Sequence, residues 1–198
     1  MDPWSALIAD TYRQFGRFNI PLLVKGAFTR RTFRPIVTLR LCQGIAHSRG
    51  IIRITLPAFI FLHHITAHNA AIDLHWRTEI EGGFIITHGW GLVVSPGAKI
   101  GKNVTLFHGV TIGRRDRISS NNGSRFTEYP VIEDEVWIGP NAIIVGGIVI
   151  GRGSRIGGGA FVTDDIPPYS VVTGNPAVIT DNNCTPDVMN PAPMMYES

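Results

Sequence analysis

The chain has 198 residues, 44% hydrophobic and 17% charged, a balance that excludes a wholly disordered polymer. Glycine contributes 22 residues but never at every third position, so a collagen-like rod is excluded as well. The net charge of +3 is uneven: residues 1–66 hold nine Lys/Arg against two acids, whereas residues 67–198 hold nine against thirteen. Such a basic first third suits an anionic partner, and no nucleic-acid-binding motif accompanies it, which favours phosphorylated ligands or lipid head groups over nucleic acid. Cys42 and Cys184 lie far apart and outside metal-type spacing, so neither a disulfide scaffold nor a cysteine-rich zinc site is expected, and a cytoplasmic setting is. No secretory leader pattern opens the sequence. The longest strongly apolar run, 56–62, is far short of the roughly 20 residues of a spanning helix, leaving peripheral contact with the inner membrane surface as the membrane expectation.

In chain order, Asp2-Pro3 reads as a helix N-cap with proline at the first helical position, and Trp4, Leu7, Ile8 and Phe15 would line one face of that helix. Helical segments are expected again around 35–48 and 51–66, giving a helical region over 1–70.

A different rhythm follows. Counting in sixes from Val94 reaches Ile100, Leu106 and Ile112, and from Ile132 it reaches Ile138, Ile144, Ile150, Ile156 and Val162. Upstream, Leu74, Ile80 and Ile86 keep the step, with two extra residues before Val94. Glycine directly follows five of these positions, at Gly101, Gly113, Gly139, Gly151 and Gly157. Neither a helix nor an ordinary strand repeats in sixes. A β-solenoid does: each hexapeptide supplies one short strand and a tight turn, the aliphatic residue points inward, and glycine permits the turn dihedrals. The sequence predicts such a body over 71–180, with an N-terminal helical portion and a mobile tail over 181–198.

Two irregularities break the repeat. One is the insertion around His88-Gly89-Trp90-Gly91, and the other is an excursion over 114–130 that reads as an exposed loop. His88 is the third residue of the turn begun at Ile86, and His108 that of the turn begun at Leu106. They belong one coil apart on the same face, roughly 5 Å apart in the stacking direction. Asp73 falls in the coil beneath, and a carboxylate within reach of an imidazole fixes its tautomer and raises its basicity, as a general base requires. His88 and Asp73 are therefore the candidate catalytic pair. His108, Trp90 and Tyr129 are candidate acceptor contacts. His75 reads more simply as a packing residue. No Gly-x-Ser-x-Gly elbow or phosphate loop is present and both cysteines lie outside the repeat, so a covalent acyl-enzyme is not expected, nor is a metal.

The stretches Ile72-Asp73-Leu74-His75, Ile86-Thr87-His88-Gly89, Gly101-Lys102-Asn103-Val104 and Val110-Thr111-Ile112-Gly113 resemble the serine acetyltransferase branch of the hexapeptide-repeat acyltransferases. The segment Val171-Val172-Thr173-Gly174-Asn175-Pro176-Ala177 is similar to the closing motif of that superfamily. The resemblance implies a left-handed parallel β-helix, a trimer with active sites between subunits, and acetyl transfer from acetyl-CoA to a hydroxyl. It places the family's catalytic histidine on His88 and its partnering carboxylate on Asp73. By the same similarity the pantetheine arm would pass Gly113, Gly139 and Gly158, with Arg114 and Arg155 as candidates for the CoA phosphates.

The acceptor machinery matches less well. Serine acetyltransferases have Asp before the catalytic histidine, where this chain has Thr87, and Asp-Arg-His-Pro after the loop, where it has Thr127-Glu128-Tyr129-Pro130. The His-Gly-Val-Thr-Ile-Gly run at 108–113 is closer in style to acetyltransferases of bacterial capsule and exopolysaccharide pathways. On those grounds a sugar hydroxyl is the expected acceptor, with serine O-acetylation in cysteine biosynthesis, and a non-acylating solenoid, as the alternatives.

Overall fold

The computed structural model describes residues 2–119 and 123–193. The sixfold rhythm becomes a three-faced prism of parallel strands. The first face stacks Ile72–Leu74, Leu92–Val94, Thr111–Gly113, Ile143–Val145 and Phe161–Val162; the second stacks Glu79–Ile80, Lys99–Ile100, Val131–Ile132 and Val149–Ile150. The third stacks Ile85–Ile86, Thr105–Leu106, Trp137–Ile138, Arg155–Ile156 and Val171–Thr173, and Val178–Asp181 adds an antiparallel edge strand to it.

Register explains why every sixth residue is aliphatic. Leu74, Val94, Ile112, Ile144 and Val162 lie directly over one another on the first face, and Ile86, Leu106, Ile138, Ile156 and Val172 do so on the third. All are buried, and each such side chain withdrawn from water contributes roughly 1.5–3 kcal/mol. Turning a corner after two or three residues demands left-handed backbone. Between the second and third faces Gly83, Asn103, Glu135, Gly153 and Tyr169 form a column with φ of 80°, 58°, 62°, 67° and 59°. Two of the five are glycine, which adopts this conformation without steric cost.

Helices close the N-terminal end of the prism. They are α1 (Pro3–Phe15), α2 (Ile20–Thr29), α3 (Phe33–His47) and α4 (Leu56–Asn69), the last preceded by a 3-10 turn over Gly50–Thr55. As the sequence predicts, the Asp2 side chain caps α1, accepting from Trp4 N and Ser5 N at 3.0 and 3.1 Å. The buried face of α1 differs from the expected one. Leu7 is buried, but Trp4 is half exposed, and Asp10, Thr11 and Arg13 point inward instead. The reason is that an open prism end presents unpaired backbone groups. Arg40 on α3 donates to Asp10 (2.8 Å) and to the carbonyls of Ile80 and Glu81 (2.6 and 2.7 Å). Asp10 in turn accepts from Phe84 N at 2.8 Å, and Arg13 donates to Gly83 O and Thr105 Oγ1.

The sequence reading missed α2 altogether. It also stopped the apolar run at Leu62, whereas Gly50–Asn69 is one continuous helical path of 20 residues with mean hydropathy 1.4, long and apolar enough by composition to cross a membrane. The tail differs as well. Residues 184–193 run back along the corner between the second and third faces, where Cys184 N donates to Tyr169 O (2.6 Å) and Ala192 exchanges two hydrogen bonds with the Asn103 side chain (both 3.1 Å). The part of the expected mobile tail at 194–198 lies outside the described residues.

Candidate active site

The first irregularity forms the corner from the third face to the first. Because Ile86 pairs with Leu106, residues two positions further on, His88 and His108, stack in adjacent coils, their ring centroids 6.0 Å apart at 72°. His88 is exposed and sits at φ +64°, a conformation rare for a residue with a β-carbon and costly enough to persist only where the surroundings impose it. His108 is half-buried, and its Nδ1 is a buried atom without a hydrogen-bond partner among the described residues.

What imposes the strained corner is Arg31, in the turn between α2 and α3. Its guanidinium donates to the carbonyls of Ala70 and His88 and lies over the Trp90 ring, 3.8 Å from the centroid. Thr32 closes the other side: a β-carbon on Gly89 would come within 2.8 Å of Thr32 Cγ2. Trp90 is therefore engaged by Arg31 while keeping an exposed edge. Sequence reasoning missed Arg31, since nothing in Thr29-Arg30-Arg31-Thr32 signals contact with a residue 57 positions away.

Asp73 lies one rung below the strand that follows the His88 corner. It lies exposed on the first face, in the strand stacked beneath Leu92–Val94, while Gly91 N donates to Ala71 O at 2.9 Å. Among the described residues no hydrogen bond or ion pair joins the two side chains. Asp73 is also within electrostatic reach of the His75 imidazole, as the smallest of the influences on it. Desolvation and the nearby Arg77 and His64 still hold the His75 pKa below its ordinary value, and its Nδ1 accepts from Arg77 N at 3.1 Å, a local structural role.

The remaining candidates divide between two edges of the first face. Gly139 and Gly158 share the His88 edge, where a β-carbon on Gly139 would come within 2.8 Å of Gly158 N and one on Gly159 would enter open space. Gly139 is thus required by the packing of Gly158, Trp137 and Ile156, and the open backbone at this edge is that of Gly159. Arg155 projects from the adjoining third face, over the Trp137 ring at 4.5 Å and paired with Asp187 at 3.3 Å. Gly113, Arg114 and Tyr129 instead lie at the opposite edge, where the excursion leaves the prism.

That excursion is not an irregular loop. Arg115–Ile118 and Arg125–Glu128 form an antiparallel hairpin. Its base is seated on glycines of neighbouring coils: the Arg115 guanidinium on Gly146, Glu128 on Gly147, and the Tyr129 ring on Gly97. Arg114 and Arg125 pair with Asp116, and Arg117 with Glu128. Arg115 makes no ion pair among the described residues, and its Nε is buried without a partner. A surface cleft of about 470 Å³ lies elsewhere, on the second face around Glu79, Lys99, Glu133 and Asp134. On one chain the His88 corner is an open edge.

The family model described as bacterial transferase hexapeptide (six repeats) matches residues 129–164. The relatives are more particular. The serine acetyltransferase of Bacillus licheniformis is 38% identical over 112 residues, 57% of this chain and 49% of that protein. The plasmid serine acetyltransferase of Synechococcus elongatus is 32% identical over 143 residues, 70% of this chain and 44% of that one. Among solved structures, soybean serine acetyltransferase superposes with a TM-score of 0.71 at 29% identity, covering 90% of this chain and 69% of the other. A Brucella abortus serine acetyltransferase in complex with coenzyme A gives 0.71 at 27% identity, covering 92% and 70%. The chain spans about half the length of the curated relatives it matches. These relatives overturn the expectation of a capsule or exopolysaccharide sugar as acceptor: the named proteins are serine acetyltransferases, and the alternative reading is the one they favour.

Proposed function

We propose that this chain transfers an acetyl group from acetyl-CoA to the hydroxyl of serine, with His88 as the general base. The observation that carries the reading is the exposed imidazole held at a strained corner, in a protein whose relatives share that activity by name. When bound, acetyl-CoA supplies an activated acyl carbon. His88 takes the proton from the acceptor hydroxyl as its oxygen attacks that carbon, and returns it to the departing thiolate. Asp73, in the rung beneath, is the carboxylate assigned to stabilise the imidazolium. Gly139 and Gly158 admit the pantetheine arm, and Arg155 and Arg114 meet the CoA phosphates.

A second copy of the chain completes the site. The candidates lie on two edges of one face, so laying the excursion edge of one prism against the His88 edge of the next unites them, and a closed ring of three does this without leaving an unused edge. Serine brings a carboxylate, and the family's cation for it is missing from Thr127-Glu128-Tyr129-Pro130. The excursion has four arginines, of which three are ion-paired, and the fourth, Arg115, is assigned to that carboxylate.

The test follows thiol release from acetyl-CoA with L-serine and, in parallel, with a panel of sugars. Serine-dependent release that drops about 100-fold or more in His88→Ala is expected. Intact acetyl-CoA binding with no serine-dependent release would overturn the acceptor, and near-wild-type turnover in His88→Ala would remove it as base.

A further inference from the structure

Residues 11–72 contain nine Lys/Arg and not one Asp or Glu. Four of the nine are used within the fold: Arg13 and Arg40 are buried, Arg31 grips the His88 corner, and Arg34 donates to Phe28 O. The other five, Arg17, Lys25, Arg30, Arg49 and Arg53, are exposed, and none makes an ion pair among the described residues. The same region carries a dense set of exposed apolar side chains. Ile51, Ile54 and Phe61 are 80%, 75% and 66% exposed, joined by Ile52, Leu62 and Ile65, and α2 adds Phe28 at 75%. Only 11% of the apolar stretch Gly50–Asn69 is buried.

We propose that the 3-10 turn and α4 dock on an anionic lipid bilayer, their apolar side chains entering the head-group boundary and Arg49, Arg53 and Lys25 meeting lipid phosphates. The element lies on the membrane and does not cross it. Its inner side is fastened to the protein: His63 is fully buried, with Nε2 donating to Leu74 O at 2.8 Å and Nδ1 accepting from Thr38 at 3.0 Å. Insertion across a bilayer would tear out that anchor and carry Arg53 through hydrocarbon. A second copy pairing through this same face is disfavoured by charge, because a self-complementary contact would set the cations against one another with no acid between. Anionic lipid answers both features at once, the apolar area and the unbalanced positive charge.

The test is co-sedimentation of the whole chain with vesicles of phosphatidylcholine alone or mixed with phosphatidylglycerol, at low and high salt. Binding is expected to the mixed vesicles only, and to fall as salt rises. Each basic residue near an anionic surface is worth about fivefold in partitioning, so the R49E/R53E double variant should bind at least 25-fold more weakly, roughly. A second variant, I51N/I54N, should also lose binding while leaving the salt dependence in place. All four residues are exposed, so both variants should melt like the parent. Acetyl transfer to free serine without lipid should be unchanged in both, which keeps this proposal separate from the acceptor reading. Failure to sediment with mixed vesicles overturns docking, as does equal binding to neutral ones. Concentration-dependent self-association that the same variants abolish would overturn it too, by assigning the face to a second copy.

Discussion

Replacing Arg31 with alanine isolates what holds His88 in place. The side chain makes charge-assisted hydrogen bonds to Ala70 O and His88 O and lies 3.8 Å over Trp90, yet it does not belong to the imidazole or to the glycine-lined edge. A non-glycine residue in the left-handed region costs of order 1–3 kcal/mol, held in place by such contacts. With Arg31 gone, the corner can relax, and a loss of about 2 kcal/mol of that restraint lowers the population of the presented imidazole roughly 30-fold. The expected result is therefore a kcat about 30-fold lower, with KM for acetyl-CoA within about twofold. Arg31→Lys, which keeps the charge but offers no planar fork to two carbonyls, should recover only part of the loss. Steady-state kinetics with acetyl-CoA varied, alongside a urea titration to exclude general unfolding, makes the measurement. A kcat at the parental level in Arg31→Ala, or an effect confined to KM for acetyl-CoA, would refute the positioning role.

Other outcomes follow from the same geometry. Arg40→Met leaves Asp10 buried without its cation and strips Ile80 O and Glu81 O of donors, so urea denaturation should register a loss of about 4 kcal/mol, partly restored by adding Asp10→Asn. His63 is buried in a neutral network, and desolvation holds its pKa below the ordinary 6.5. The unfolded chain therefore takes up the proton first. Its contribution is intact above about pH 6.5 and is lost as pH falls below that value, so the melting temperature should drop on acidification, less steeply in His63→Gln. Asp73→Asn should lower kcat by about tenfold or more, whereas His75→Asn should leave it near the parental level.

The prism was legible because a solenoid repeats one physical requirement, an aliphatic side chain every sixth residue with a left-handed turn after it, and Ile132, Ile138, Ile144, Ile150 and Ile156 each meet it. The His88–His108 stack was legible for the same reason. The cap of α1 was local enough to read from Asp2-Pro3. What escaped depends on distance. Asp10 and Arg40, 30 positions apart, look like surface charges until the fold brings them together, and Gly26 in α2 looks like a helix breaker until Phe15 and Phe33 are found packed within 3 Å of where its β-carbon would be. The pairing of Asp73 with His88 was expected from their places in neighbouring coils, and among the described residues no hydrogen bond or ion pair joins the two side chains. The sugar acceptor was expected because the family's cation is missing at one motif position, and it is the named relatives that overturn that expectation.

The Asn103 side chain is 1% exposed, and among the described residues its amide is partnered by Ala192, 89 positions further along. Ribosomal synthesis delivers every rung of the prism before that amide is satisfied. The returning segment is thus a latch that closes after the spiral is wound, and it also engages Arg13 beneath the first coil through the carbonyl of Met189. A chain released before residue 192 would carry a buried, unsatisfied side chain near its oldest coil, so damage at one terminus would be felt at the other.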